Sequence, residues 1–151
     1  HQKTTWPVFR TWRNDMQSPI RDSPDTGHSA PVFRTELVPW FEPPGHFGGL
    51  SKLLVSPDSH ETAYFDFRIS RYPIGSRVDP HHHDIAEHVY YFLSGTGLVV
   101  WAETTFIIEP GMAMFVPPGV VHSVTNTGES DLVFFVATSP PSDISRESDS
   151  R

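Results

Sequence analysis

The chain has 151 residues, with 18 acidic against 11 basic side chains, a formal charge of −7, nine His, 15 Pro, 10 Gly and no Cys. That length suits one domain with a real core. The acidic balance argues against nucleic acid, which demands a concentrated basic face, and the lack of cysteine removes disulfides, thiolate metal sites and a cysteine nucleophile.

Residues 1–61 read as an irregular N-terminal arm punctuated by Pro7, Pro19, Pro24, Pro31, Pro39, Pro43, Pro44 and Pro57, with no sustained helical period. The stretch from His1 is polar, with no visible secretory signal, so the expected compartment is the cytoplasm; a first residue other than Met is consistent with a processed or truncated chain. Pro-Val-Phe-Arg-Thr occurs at 7–11 and again at 31–35, which reads as two short edge strands of similar composition. Trp6, Trp12, Trp40 and Phe47 need a surface, so the arm is expected to pack on the following domain or on a partner subunit. Trp6, Val8, Phe9 and Trp12, adding an edge strand to a partner or covering its apolar surface, predict a homodimer.

From residue 62 the texture turns aromatic, β-branched and alternating. Strands are predicted at Tyr64–Tyr72, from the Pro73-Ile74-Gly75 turn toward His83, and at His88–Ser94, Leu98–Glu103, Thr104–Ile108, Met112–Val116, Val120–Thr125 and Leu132–Thr138. Gly95-Thr96-Gly97 reads as a hairpin turn, and Pro110-Gly111 and Pro118-Gly119 as type II turns. About eight short strands at this spacing point to an all-β antiparallel barrel or jelly roll over 62–138. The polar stretch 139–151 is expected to be a flexible tail. No apolar run reaches the ~20 residues of a membrane helix.

His81, His82, His83 and His88 fall within eight residues, and His122 lies on a later strand. On a strand His81 and His83 point together and His82 points away, so two imidazoles could chelate one divalent ion. A solvated turn or a tag-like fragment would give the same run. The surrounding spacings narrow the choice. Gly75, five residues, His81-x-His83, four residues, His88, six residues, Gly95 closely resembles the first motif of the cupin superfamily. Gly111, Pro117, Gly119, His122 and Asn126 match the second motif at every position, after a spacer of residues 96–110. The resemblance, to small single-domain cupins, implies a cupin-type β-barrel (double-stranded β-helix) with a metal at its centre.

In the first motif His88 stands where most cupins carry a ligand Glu, with six residues between it and Gly95, and Tyr91 and Leu93 follow at the family's intervals. His81, His83, His88 and His122 are therefore the expected ligands. Glu87 is the alternative to His88, or a carboxylate that orients a ligand imidazole. Asn126 reads as a turn-capping side chain. Four neutral imidazoles leave the ion its +2 charge and, in an octahedral arrangement, two adjacent open positions. Fe(II) is favoured, with Ni, Mn, Cu or Zn possible. A carboxylate-free set is similar to that of cupins that cleave carbon–carbon bonds oxidatively with Fe(II).

The leading expectation is an Fe(II) dioxygenase acting on a small oxygen-chelating substrate. The alternatives are a non-redox lyase or isomerase, with Tyr90 or Glu87 moving a proton, and a non-catalytic small-molecule-binding cupin. Alternation turns Tyr90 and Phe92 inward with His88, and Val120 and Val124 inward with His122; Trp101 is a further pocket candidate, although barrel core is the default role for all of these. Arg68, Arg71 and Arg77 lie on strands leading into the site, where one could clamp a carboxylate substrate, with surface ion pairing as the default. His28, His46 and His60, in the arm, are expected to be solvent-exposed. No nucleic-acid or membrane partner is expected, and no helix-turn-helix stands beside the barrel.

Overall fold

The computed structural model describes residues 28–141. The arm residues Trp6, Val8, Phe9 and Trp12, the first copy of the repeated pentapeptide and the tail from residue 142 lie outside the described residues.

Among the described residues, ten strands form two five-stranded antiparallel sheets that face each other. One sheet has the order β1 (His46–Phe47), β4 (Arg77–His81), β9 (His122–Thr125), β6 (Gly97–Trp101), β7 (Thr104–Ile108). The other has the order β2 (Leu50–Val55), β3 (Asp66–Tyr72), β10 (Leu132–Ser139), β5 (Glu87–Ser94), β8 (Ala113–Val116). One four-residue helix, α1 (Pro57–His60), is capped by Ser56 and Ser59 in a reciprocal box. This is the two-sheet jelly roll that the strand spacing predicts.

Strict alternation aims the core. In β5, His88, Tyr90 and Phe92 are buried while Glu87, Val89 and Tyr91 are exposed. In β10, Leu132, Phe134, Val136 and Thr138 are buried. Phe92 and Phe134 pair in register with ring centroids 5.5 Å apart, and both are essentially sealed from solvent. Each such ring contributes about 1.5–3 kcal/mol of burial. The far end of the barrel is closed by Asn126, whose Nδ2 donates to the carbonyls of Tyr72 at 2.7 Å and Ser130 at 2.8 Å, while its Oδ1 accepts from Gly128 N–H. That is the turn-capping role read from sequence.

Three expectations change. Residues 46–55 are not irregular: they supply β1 and β2, and β2 pairs with β3 along its length. Its sequence LSKLLV hides the strand because an inward position is Ser51, whose Oγ meets Ser70 Oγ at 2.9 Å. The second copy of the pentapeptide, 31–35, is a turn running into a 3-10 helix at Thr35–Leu37 rather than an edge strand. Gly95-Thr96 does not make a hairpin, because β5 and β6 belong to different sheets. Gly95, at φ 80, instead carries the chain across the corner, packed so closely on Asp131 and Leu132 that a Cβ would not fit. The true hairpin joins β6 to β7 through Ala102-Glu103, with Ala102 at φ 54, and no glycine advertises it.

Candidate metal centre

The four motif histidines converge from both sheets. His81, the last residue of β4, lies directly across from His122, the first residue of β9, with ring centroids 4.4 Å apart. His83 follows in the loop after β4. Its carbonyl accepts the Gly119 N–H at 2.8 Å, so the Pro117–Gly119 turn positions one ligand candidate while it delivers another. His88 enters from β5 in the opposite sheet, 4.3 Å from the His83 ring and 5.7 Å from that of His122. His82 is exposed and turned to Asp84 at 3.3 Å, as alternation requires.

One nitrogen from each of His81, His83 and His122 lies within 4.8 Å of the others, and His88 stands outside this tight trio. Imidazoles ligating one ion at ~2.1 Å hold their nitrogens roughly 3–4 Å apart, so the trio closes around a cation with small adjustments.

The tautomers are set by neighbours. His81 Nδ1–H donates to the Asp79 carbonyl at 2.8 Å and His122 Nδ1–H to the Val120 carbonyl at 2.9 Å. His88 Nδ1 meets the Thr138 hydroxyl at 3.1 Å, beside the Asp66 carboxyl group. With no acceptor at its buried Nε2, His88 carries its proton on Nδ1 and donates it to the Thr138 oxygen. Each ring is left with an Nε2 lone pair. In His88 and His122 that atom is buried without any protein partner. Buried polar atoms are rarely left so. A donor set of neutral imidazole nitrogens, two of them orphaned, fits a divalent transition metal.

Electrostatics agree with neutral rings. Burial lowers His88 to about 2, with His83, His122, Arg68 and His81 adding repulsion. Burial lowers His122 to about 4, against the Val120 hydrogen bond. Asp66, fully buried, is raised by desolvation and held partly in check by Arg68 at 3.4 Å and by Thr138.

A cavity of about 380 Å³ opens from these histidines. Its wall includes His81, His83, His88 and Tyr90, whose hydroxyl burial holds at about 12 and therefore protonated. Of the residues the sequence singled out, Phe92 and Val124 sit in the core cluster, and Trp101 and Val120 pack against it, Trp101 donating to the Phe115 carbonyl at 2.9 Å. None of these four is among the residues lining the cavity. Glu87 is exposed on the outer side of β5.

Arg71 and Arg77 stand outside the cavity, over Trp40 and Phe47 respectively, whereas Arg68 lines it. His46 is not solvent-exposed: it lines the same cavity, edge-on to Tyr72, and burial lowers its pKa. His28 and His60 are half-buried around Phe33, bonded to the carbonyls of Leu54 and Ala30, and tie the arm to the barrel. Sequence reasoning missed Asp66 and Thr138. For Thr138 the signal was a polar residue ending the otherwise apolar inward face of β10, whereas Asp66 shares its face with Arg68 and Ser70 and carried no such signal.

Residues 68–138 match the cupin domain family. The chain is 33% identical over 85 residues to an oxalate-binding protein of Thermotoga maritima, covering 56% of this chain and 69% of the relative. It is similar in structure to a predicted oxalate decarboxylase of Thermotoga maritima, with a TM-score of 0.64 and 27% identity over 72% of this chain and 97% of that one. The polyketide cyclase RemF of Streptomyces resistomycificus shares the fold, with a TM-score of 0.64 and 22% identity, covering 73% and 81%. With two facing antiparallel sheets, both histidine motifs and these relatives, the chain belongs to the cupin family.

Proposed function

We propose that this cupin is a metal-dependent enzyme acting on a small oxygen-chelating substrate. His81, His83, His88 and His122 would hold one divalent ion, with Fe(II) and oxygen-dependent cleavage as the favoured chemistry. The observation that carries the reading is the pair of buried, unpartnered Nε2 atoms of His88 and His122, packed against His83 and His81, with His81, His83 and His88 lining the cavity. An ion bound there would supply Lewis acidity and, if iron, access to O2 chemistry. The chain's own groups do the rest. Asp79, Val120 and Thr138 hold the imidazoles in the tautomer that presents Nε2. Tyr90 keeps its proton and can donate it to an oxygen of the substrate. Val78, Phe134 and Val136 give the cavity an apolar wall for the body of the substrate.

The names of the relatives leave room for a non-redox reading: oxalate is itself an oxygen chelate, and decarboxylation is a lyase reaction. One experiment separates the readings. Untagged protein is analysed for metal, then oxygen uptake is followed on a panel of diketones, hydroxyketones and phenolic acids. Close to one equivalent of iron with substrate-dependent oxygen consumption is expected. Less than a tenth of an equivalent after reconstitution overturns the metal reading. Turnover indifferent to anaerobic conditions overturns the oxygenase and leaves the lyase or isomerase.

A homodimer belongs to the same proposal. Val89, Tyr91, Leu93 and Phe115 are exposed on neighbouring strands β5 and β8, an apolar face suited to a second copy. A monomer in sedimentation at micromolar concentration counts against it.

A further inference from the structure

Arg68 stands on the inner face of β3, flanked in register by Leu53 of β2 and Val136 of β10, with Tyr90 next across on β5. Its side chain is 16% exposed, and Asp66 takes one Nη2 donor at 3.4 Å. Its Nε is buried without a protein partner. A guanidinium carries five donors and does not give up its charge. Stability does not account for the placement, since a buried ion pair is often matched or bettered by apolar packing. The row it occupies is otherwise apolar or aromatic. What Arg68 does face is the cavity of about 380 Å³ that also contains His81, His83 and His88. Val78, Phe134 and Val136 contribute apolar wall to that cavity. Asp66 is fully buried and lies outside the lining, and Asp79, also in the wall, is engaged by Arg77 at 3.3 Å.

The cavity therefore combines an imidazole cluster, an apolar wall and a permanent cation with unused donors. We infer that Arg68 anchors a carboxylate of the substrate. The substrate class is a small carboxylic acid whose chelating oxygen pair is separated from that carboxylate by an apolar body. This deepens the proposed metal-chelating function and rests on it. Guanidinium–carboxylate pairs are the strong, geometrically specific kind of charge-assisted hydrogen bond. The volume also exceeds what two chelating oxygens require and falls within the usual range for small-molecule sites of about 300–1,000 Å³.

The test compares two chelates of one core, 3,4-dihydroxyphenylacetate and 4-methylcatechol, binding to zinc-loaded protein under argon by calorimetry. Wild type is expected to bind the acid at least ten-fold more tightly. Because Arg68→Gln alone strands the Asp66 carboxylate, the variant used is Asp66→Asn/Arg68→Gln, checked for folding by circular dichroism. Loaded at a saturating zinc concentration, it is expected to bind both probes alike. Arg68→Lys keeps a cation beside Asp66 and covers the case in which the double variant misfolds. It too should lose most of the preference, because an ammonium lacks the planar fork. A smaller ratio in wild type, a ratio preserved in either variant, or no binding of either probe overturns the inference. Failure of wild type to take up zinc overturns the metal reading instead.

Discussion

Burial of the imidazoles in neutral form makes the metal-free protein acid-sensitive, and His122 sets the scale. Its pKa falls from 6.5 to about 4 because the ring is fully buried. Below pH 6.5 the unfolded chain takes up a proton that the folded chain refuses, so stability is complete above 6.5 and drains as pH falls toward 4. At about 1.36 kcal/mol per unit, the 2.5-unit gap amounts to roughly 3 kcal/mol, a large share of the ~5–15 kcal/mol of an ordinary domain. His88, lowered to about 2, works in the same direction. Asp66 works against both, since its raised pKa lets the folded state accept a proton earlier than the unfolded one. Comparison with His122→Gln isolates the one ring. Urea unfolding in chelator, followed by tryptophan fluorescence from pH 7.5 to 4.5, should give wild type a steeper loss by up to about 1.4 kcal/mol per pH unit. Equal slopes in the two proteins would refute the claim that the buried His122 ring is held neutral.

Three further outcomes are expected. His88→Ala should weaken zinc binding, measured by competition with a chelating dye, far more than Glu87→Ala, because Glu87 is exposed on the outer face; the reverse order reassigns the ligand. Thr138→Val removes the acceptor for His88 Nδ1–H and should weaken zinc binding by about 10–100-fold, with Thr138→Ser restoring it; identical affinities for all three proteins would show that the hydroxyl does not orient the ring. Gly97→Ala places a Cβ 2.4 Å from the Thr125 carbonyl and should cost more than about 2 kcal/mol in urea unfolding, whereas Gly111→Ala meets nothing within 4 Å and pays only for its φ of 88, about 1–2 kcal/mol.

The motifs were legible because their chemistry is local. Gly111 and Gly119 sit at positive φ as their turns require, and the spacing from Pro117 to His122 is the length of one turn feeding one strand. Alternation placed His88, Tyr90 and Phe92 on one inner face because a strand has period two. Long-range placement was not legible. The link Gly95-Thr96 has the composition of a hairpin, and its crossing between sheets depends on Asp131 and Leu132, more than thirty residues away. Ser51 and Ser70 face inward against the hydrophobic rule because each bonds the other, so β2 lacked an alternating apolar pattern. The cavity wall was misjudged for the same reason: whether Trp101 lines a pocket or packs a core depends on the opposing sheet, and no strand's own pattern contains that sheet.

The position of the four histidines gives the site a structural role besides its chemistry. His81 and His122 belong to paired strands of one sheet, and His88 belongs to the other. An ion held by all three would tie the sheets together at the open end of the barrel, as Asn126 does at the closed end through Tyr72 and Ser130. Ligation would also remove the penalty of two unpartnered buried nitrogens, so the ion should stabilise the fold beyond simple cross-linking. Behind His88, Thr138 lies beside Asp66, which in turn holds the cavity-facing guanidinium of Arg68. The residues that orient one ligand thus also hold the cation that would receive a substrate's carboxylate. A change at Asp66 should therefore be felt at both ends: as weaker zinc binding through His88, and as altered acid binding through Arg68. Asp66→Asn, read by zinc titration and by 3,4-dihydroxyphenylacetate binding, should shift both. A shift in only one would show that the two act independently.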